Sequence, residues 1–218
     1  MPLLKICGLC EPAQAAAVAA LGVDAIGVIG VEGSPRFVPA PLRPAIFAAV
    51  AASRPECRRV LVVADPGDQE LAELHVAGGH QVVQLHGEES VERCHRLGDQ
   101  LGVELWKALR IRSRQDLERA HTYGGVVEAL LLDAWVPDQL GGTGHSLPIA
   151  WLEGFTPALP WWLAGGITPE KVGEVLAHLQ PHGLDASSGV EDAPGHKNLQ
   201  RVEALLAAVH AVKGAGVA

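Results

Sequence analysis

Eight short runs rich in β-branched residues and leucine, at positions 3–7, 25–29, 59–63, 82–85, 104–108, 129–133, 161–164 and 183–186, alternate with alanine- and leucine-rich amphipathic stretches. That alternation is the pattern of a parallel α/β architecture, because parallel strands need a crossover, usually a helix, to return the chain to the same end of the sheet. Several of the crossovers carry their own boundaries. Pro12 suits the first position of a helix that Gly22 ends, and Ser90 can cap a helix with Val91, Cys94, Leu97 and Leu101 along one side. Thr168, before Pro169 and Glu170, reads as a further N-cap, and from Asn198 a last helix places Leu199, Val202, Leu205, Leu206 and Val209 on one face. Eight strand and helix units predict a (β/α)8 TIM barrel, a single domain over residues 1–218. An open doubly wound sheet shares the alternation but usually opens with a Gly-rich turn; here the first turn is Cys7-Gly8-Leu9-Cys10, which is not G-x-G-x-x-G.

Composition narrows the partners. Seventeen Lys and Arg against 25 Asp and Glu give a formal charge of -8, without the basic stripe that nucleic acid needs to displace counterions. No stretch approaches the roughly 18 uninterrupted apolar residues of a membrane span, and the N-terminus lacks the basic and apolar regions of a signal peptide. Cys7, Cys10, Cys57 and Cys94 are too few for a disulfide scaffold and fit a reducing compartment. The expectation is a cytoplasmic enzyme acting on a small molecule, a monomer with a homodimer as the alternative, and with a frayed Gly/Ala tail beyond Lys213.

A barrel of this kind builds its active site from strand C-terminal ends and the loops after them. The first strand ends on Cys7, the fourth runs into His86, the sixth ends on Asp133 and the eighth carries Asp185. Strand alternation puts Lys5 with Cys7 and Gln84 with His86, so on an interior face an ammonium would stand near the thiol and lower its pKa. Each residue also has a plainer reading. A cysteine is often a small buried hydrophobe, and the Cys7-x-x-Cys10 spacing also admits redox or metal roles. Asp133, His86 and Asp185 could simply hydrogen-bond loops. Three glycine-rich stretches follow late strands: Gly141-Gly142-Thr143-Gly144, Gly165-Gly166-Ile167 and Ser187-Ser188-Gly189. Glycine permits close backbone approach, and such loops either cradle an anion or are merely tight turns. Arg36 is a lone cation in the loop after the second strand, able to fork a carboxylate or to lie solvated on the surface.

Taken in order, Lys5-Ile6-Cys7-Gly8, Ser34-Pro35-Arg36, Val83-Gln84-Leu85-His86-Gly87, Leu132-Asp133, Gly141-Gly142-Thr143-Gly144, Ala164-Gly165-Gly166-Ile167 and Asp185-Ala186-Ser187-Ser188-Gly189-Val190-Glu191 resemble the phosphoribosylanthranilate isomerases. The resemblance implies the Amadori rearrangement of tryptophan biosynthesis, without metal or redox cofactor. It further implies Cys7 as general base, Asp133 as general acid, and Arg36 on the anthranilate carboxylate. The amides around Gly166, Ser187, Ser188 and Gly189 would hold the phosphate, and His86 and Asp185 would line the sugar pocket. The chain departs from the family twice. An aromatic-rich Gly-Phe-Val-Phe segment is here Gly27-Val28-Ile29-Gly30, and an Asp before the last helix is here Asn198, which caps about as well.

Overall fold

The computed structural model describes residues 1–134 and 146–212. The Gly141-Gly142-Thr143-Gly144 stretch and the tail beyond Lys213 lie outside the described residues.

Strands β1 (Leu3–Cys7), β2 (Ala25–Ile29), β3 (Arg58–Val63), β4 (Val82–Leu85), β5 (Glu104–Ile111), β6 (Ala129–Ala134), β7 (Trp161–Leu163) and β8 (Gly183–Ala186) pair in parallel in chain order. The ring closes where β8 meets β1, with Lys5 in register with Asp185. The doubly wound alternative is thereby removed.

Period-two alternation divides each strand between two cores. Leu4, Ile6, Ile26, Val28, Leu61, Val83, Leu130 and Leu184 face outward and pack under the helices. Each such fully buried Val, Leu or Ile contributes about 1.5–3 kcal/mol. Ala25, Val60, Val62, Val82, Trp106, Ala108, Ala129, Leu131 and Trp162 fill the inside. Trp106 and Trp162 stack there with ring centroids 4.8 Å apart. Trp162 lies where a side chain on Gly183 would be: a Cβ there would come within 2.3 Å of the indole. Apolar filling gives out toward the C-terminal mouth, where Cys7, His86, Asp133 and Asp185 stand.

Helices α1 (Pro12–Ala20), α2 (Arg43–Ser53), α3 (Leu71–Leu74), α4 (Val91–Leu101), α5 (Ile149–Leu152), α6 (Val172–His178) and α7 (Leu199–Ala211) surround the barrel. The expected signals at Pro12, Ser90 and Asn198 hold: Pro12 opens α1, the Ser90 hydroxyl accepts from the Arg93 amide, and the Asn198 side chain accepts from the Arg201 amide. Others need correcting. Thr168 does not cap α6; its carbonyl accepts from Lys171 and Val172, so a turn precedes a helix beginning at Val172. On α7, Val202, Leu205 and Val209 are buried, whereas Leu199 sits in the first turn, outside the packed face, and is exposed. Not every strand is followed by a full α-helix either. The link from β5 to β6 is a 3₁₀ run over Arg114–Tyr123, and α3 and α5 are single turns. None of the described helices is long and apolar enough to cross a membrane.

Candidate active site

Nine residues singled out from the sequence, Cys7, Arg36, His86, Asp133, Gly166, Asp185, Ser187, Ser188 and Gly189, line one cleft at the C-terminal mouth of the barrel. On its β1 side, Gly8 has φ +84° and a Cβ there would fall 2.5 Å from the Arg36 Cδ, so this left-handed glycine both turns the chain and lets the arginine stem cross it. A Cβ on Gly27 would lie 2.7 Å from the Cys7 Sγ and 3.2 Å from the Lys5 Cε. The glycine in β2 therefore leaves room for the thiol and the ammonium together.

Below Cys7, the fully buried Lys5 Nζ donates to the Asp185 Oδ1 at 3.0 Å. Burial pushes the Cys7 thiol above its ordinary value of 9.0 despite the opposing pull of Lys5 and Lys197, so the expected lowering of this pKa is overturned. Burial also raises the Asp185 carboxyl against the attraction of Lys5. For Lys5 burial alone would lower the pKa, but Asp185 and Cys7 outweigh it and the ammonium stays charged. Burial also raises the Cys57 and Cys94 thiols, to about 12 and about 11. All four cysteines are free thiols, so Cys7 and Cys10 form no disulfide.

Opposite, the buried Gln84 lies with its Nε2 2.9 Å from the His86 Nδ1. The other ring nitrogen, Nε2, faces the Asp133 Oδ2 at 3.4 Å, out of hydrogen-bond alignment. The β4 end that carries His86 is tied down from outside the barrel. Lys107, in mid-β5, donates to the Leu85, Gly87 and Ala108 carbonyls and, at 2.8 Å, to the Glu89 Oε2. The Glu89 Oε1 accepts in turn from the amides of Asp65 and Gly87.

The remaining wall comes from the loops after β7 and β8. Gly165 and Gly166 are left-handed, with φ +87° and +67°, and Gly189 passes so close to the Ile167 carbonyl that a Cβ would lie 2.0 Å from its oxygen. These loops, with Ser187 and Ser188, bring backbone amides and hydroxyls to one end of the cleft, the chemistry an oxyanion needs.

Arg36 is not a lone cation, as its place in the sequence suggests. Its Nε and Nη2 fork the Glu191 carboxylate, with Nη2 to Oε2 at 2.6 Å, and Glu191 also pairs with Lys197. Neither partner is legible in the sequence as a site residue: Glu191 closes one family-like motif and Lys197 another, Pro194-Gly195-His196-Lys197, each without a role of its own. The signal for Lys197 is that pattern together with its position, directly before the Asn198 helix cap, where a cation invites a search for its counter-ion. Among the described residues no group of three or more His, Cys, Asp or Glu is placed to hold a metal ion.

A closed parallel barrel with titratable groups converging beside glycine-rich loops at its C-terminal mouth defines a barrel enzyme for a small molecule. Comparison with known proteins narrows the class. Residues 4–208 match the sequence model of the N-(5'phosphoribosyl)anthranilate (PRA) isomerases. The chain is 49% identical over 204 residues to N-(5'-phosphoribosyl)anthranilate isomerase of Synechococcus sp. (strain JA-3-3Ab), covering 93% of this chain and 88% of the relative. It is 46% identical over 207 residues to that of Synechococcus elongatus, covering 94% and 95%. The crystal structure of phosphoribosyl anthranilate isomerase from Thermus thermophilus superposes with a TM-score of 0.82 at 34% identity, covering 96% of this chain and 99% of that one. The chain belongs to the phosphoribosylanthranilate isomerase family and is an isomerase.

Proposed function

We propose that the protein converts N-(5'-phosphoribosyl)anthranilate to 1-(2-carboxyphenylamino)-1-deoxyribulose 5-phosphate in tryptophan biosynthesis, with Cys7 as general base and Asp133 as general acid. The observation that carries this is the meeting of Cys7, from the end of β1, and Asp133, from the end of β6, in one cleft. Arg36 and the glycine loops line the same cleft. In this reading Asp133 gives its proton to the furanose ring oxygen, the ring C1–O bond breaks, and a Schiff base forms at C1. The Cys7 thiolate then removes the C2 proton, and the resulting enolamine takes a proton at C1 as its 2-hydroxyl loses one, leaving the ketone. The proton account closes without change of redox state, as an aldose-to-ketose shift must. Lys5 and Lys197 supply the positive charge that favours the thiolate once the proton has left. Arg36 takes the anthranilate carboxylate, and the amides of Gly166, Ser187, Ser188 and Gly189 take the phosphate. His86 and Asp185 bound the sugar between them. The free cysteines fit a reducing cytoplasm.

The decay of anthranilate fluorescence in purified protein tests the assignment, with and without chelator. Cys7→Ala and Asp133→Asn should each cut turnover by about 10²-fold or more while leaving the circular dichroism unchanged. Wild-type turnover in the Cys7→Ala protein would refute the base assignment, and activity lost to chelator would refute the metal-free reading.

A further inference from the structure

Arg36 is held on every side except one. Its backbone amide donates to the Ser34 Oγ, its carbonyl accepts from the Cys10 Sγ, and its stem crosses Gly8 where no side chain would fit. Its guanidinium is held through one edge only, Nε and Nη2 both donating to Glu191. A guanidinium has five N–H donors arranged as two forks, and a carboxylate occupies one fork at a time. The fork of Nη1 and Nη2 has no partner among the described residues for Nη1, and Arg36 lines the cleft.

Glu191 is itself fixed. It opens a short hairpin, β9 (Glu191–Ala193) against β10 (His196–Lys197), that turns at the left-handed Gly195. Its Oε1 accepts from the Gly195 amide at 3.1 Å and from the Nζ of the buried Lys197, which also reaches the Ser187 carbonyl and hydroxyl. One carboxylate therefore joins two buried cations, and the hairpin carries it as a rigid strut.

We propose that Glu191, braced by Lys197 and the Gly195 amide, is a positioning residue that aims the open fork of Arg36 into the cleft and so sets the preference for a substrate bearing a carboxylate. The inference rests on the assignment of Arg36 to the substrate carboxylate. Charge alone makes the opposite forecast. Replacing Glu191 with a neutral residue adds one positive charge to the Arg36, Glu191 and Lys197 group, and by Coulomb attraction an incoming carboxylate would bind more tightly. If orientation decides, the same change weakens it.

Isothermal titration calorimetry with two stable ligands separates the cases: a 1-(phenylamino)-1-deoxypentitol 5-phosphate with an ortho carboxylate on the ring, and its counterpart without one. The ratio of their Kd values reads carboxylate preference and cancels general damage. Glu191→Gln should lower that preference about ten- to hundredfold, the scale of a misplaced binding group, and leave the carboxylate-free ligand within about twofold. The Glu191→Gln/Lys197→Met pair keeps the net charge of the group and should lower the ratio alike, whatever the loss of Lys197 does to both ligands together; it also serves if the single variant, with Lys197 buried and unpaired, fails to fold. A preference unchanged or raised in the Glu191 variants, or an equal weakening of both ligands, overturns the inference. Arg36→Ala should abolish the preference. Preference surviving that change overturns the carboxylate assignment and this inference with it, whereas preference lost with Arg36 but intact without Glu191 overturns this inference alone.

Discussion

Gly189→Ala is the sharpest test of the two-loop anion site. The glycine does not have a left-handed φ, so an added methyl acts through space alone. That methyl would lie 2.0 Å from the Ile167 oxygen, 2.9 Å from the Thr168 Cγ2 and 3.0 Å from the Ile167 carbonyl carbon, and contacts under 3.0 Å are essentially never seen. Two of the three obstacles are backbone, so the β7 and β8 loops must part by about 1 Å. Overpacking of this kind costs about 1–3 kcal/mol of stability. A phosphate held by both loops would also lose one charge-assisted amide hydrogen bond, about 1.5–3 kcal/mol, or roughly ten- to hundredfold in affinity. The measurements are KM for the phosphorylated substrate and the inhibition constant of inorganic phosphate, with thermal unfolding alongside. Gly183→Ala is the matched control. Its methyl meets the Trp162 ring on the barrel floor at 2.3 Å, and should lower Tm without moving the phosphate constant. If Gly189→Ala leaves both KM and phosphate inhibition within about twofold of wild type, phosphate is not held between these loops.

Two more outcomes rest on the buried charges and the buried thiol. Glu89→Gln strands the Lys107 ammonium, 1% exposed, without its counter-ion, and should cost about 3–5 kcal/mol in urea unfolding; Glu89→Gln/Lys107→Met should recover most of it, and a loss below about 1 kcal/mol in the single variant would show the pair to be dispensable. With the Cys7 thiol raised by burial, the base form gains population as pH rises, so kcat/KM should climb through and beyond the ordinary thiol value of 9.0. An ascending limb completed below about pH 7 and abolished in Cys7→Ala would contradict that direction.

The strand pattern was legible because interior and exterior of a barrel strand are both apolar, so each strand announces itself as a continuous run bounded by Gly, Pro or a polar end. The crossovers read less well. Arg114–Tyr123 is polar and winds as 3₁₀, its Asp116 carboxylate accepting from the Arg112 and Ser113 amides in a local arrangement that periodicity does not register. The cleft residues were legible one at a time, through their places at strand ends. Their mutual arrangement was not. Whether Arg36 meets solvent or Glu191 depends on a hairpin 155 positions away in sequence. The direction of the Cys7 shift likewise depends on how deeply the strand end is buried, and that burial outweighs Lys5. A signal for the charge pairs did exist. Lys107 stands in Leu105-Trp106-Lys107-Ala108-Leu109, and a lysine inside such a run is buried only with a partner.

The net charge of -8 and the anionic substrate proposed above are reconciled by where the charges lie. Charges exposed to solvent are screened over roughly 8–10 Å, so the acidic excess on the outer surface scarcely reaches the cleft. Inside, Lys5 is matched by Asp185 and Lys107 by Glu89, while Arg36 and Lys197 share the single carboxylate of Glu191. The Arg36, Lys197 and Glu191 group therefore carries one positive charge beside the cleft, with the Asp133 carboxyl in the same cleft. At an effective dielectric near 20 a unit charge at 4 Å is worth about 4 kcal/mol, against about 1 kcal/mol in bulk water. A charge beside the cleft thus outweighs charge dispersed over the outer surface, and the sign of the ligand follows the cleft and not the total.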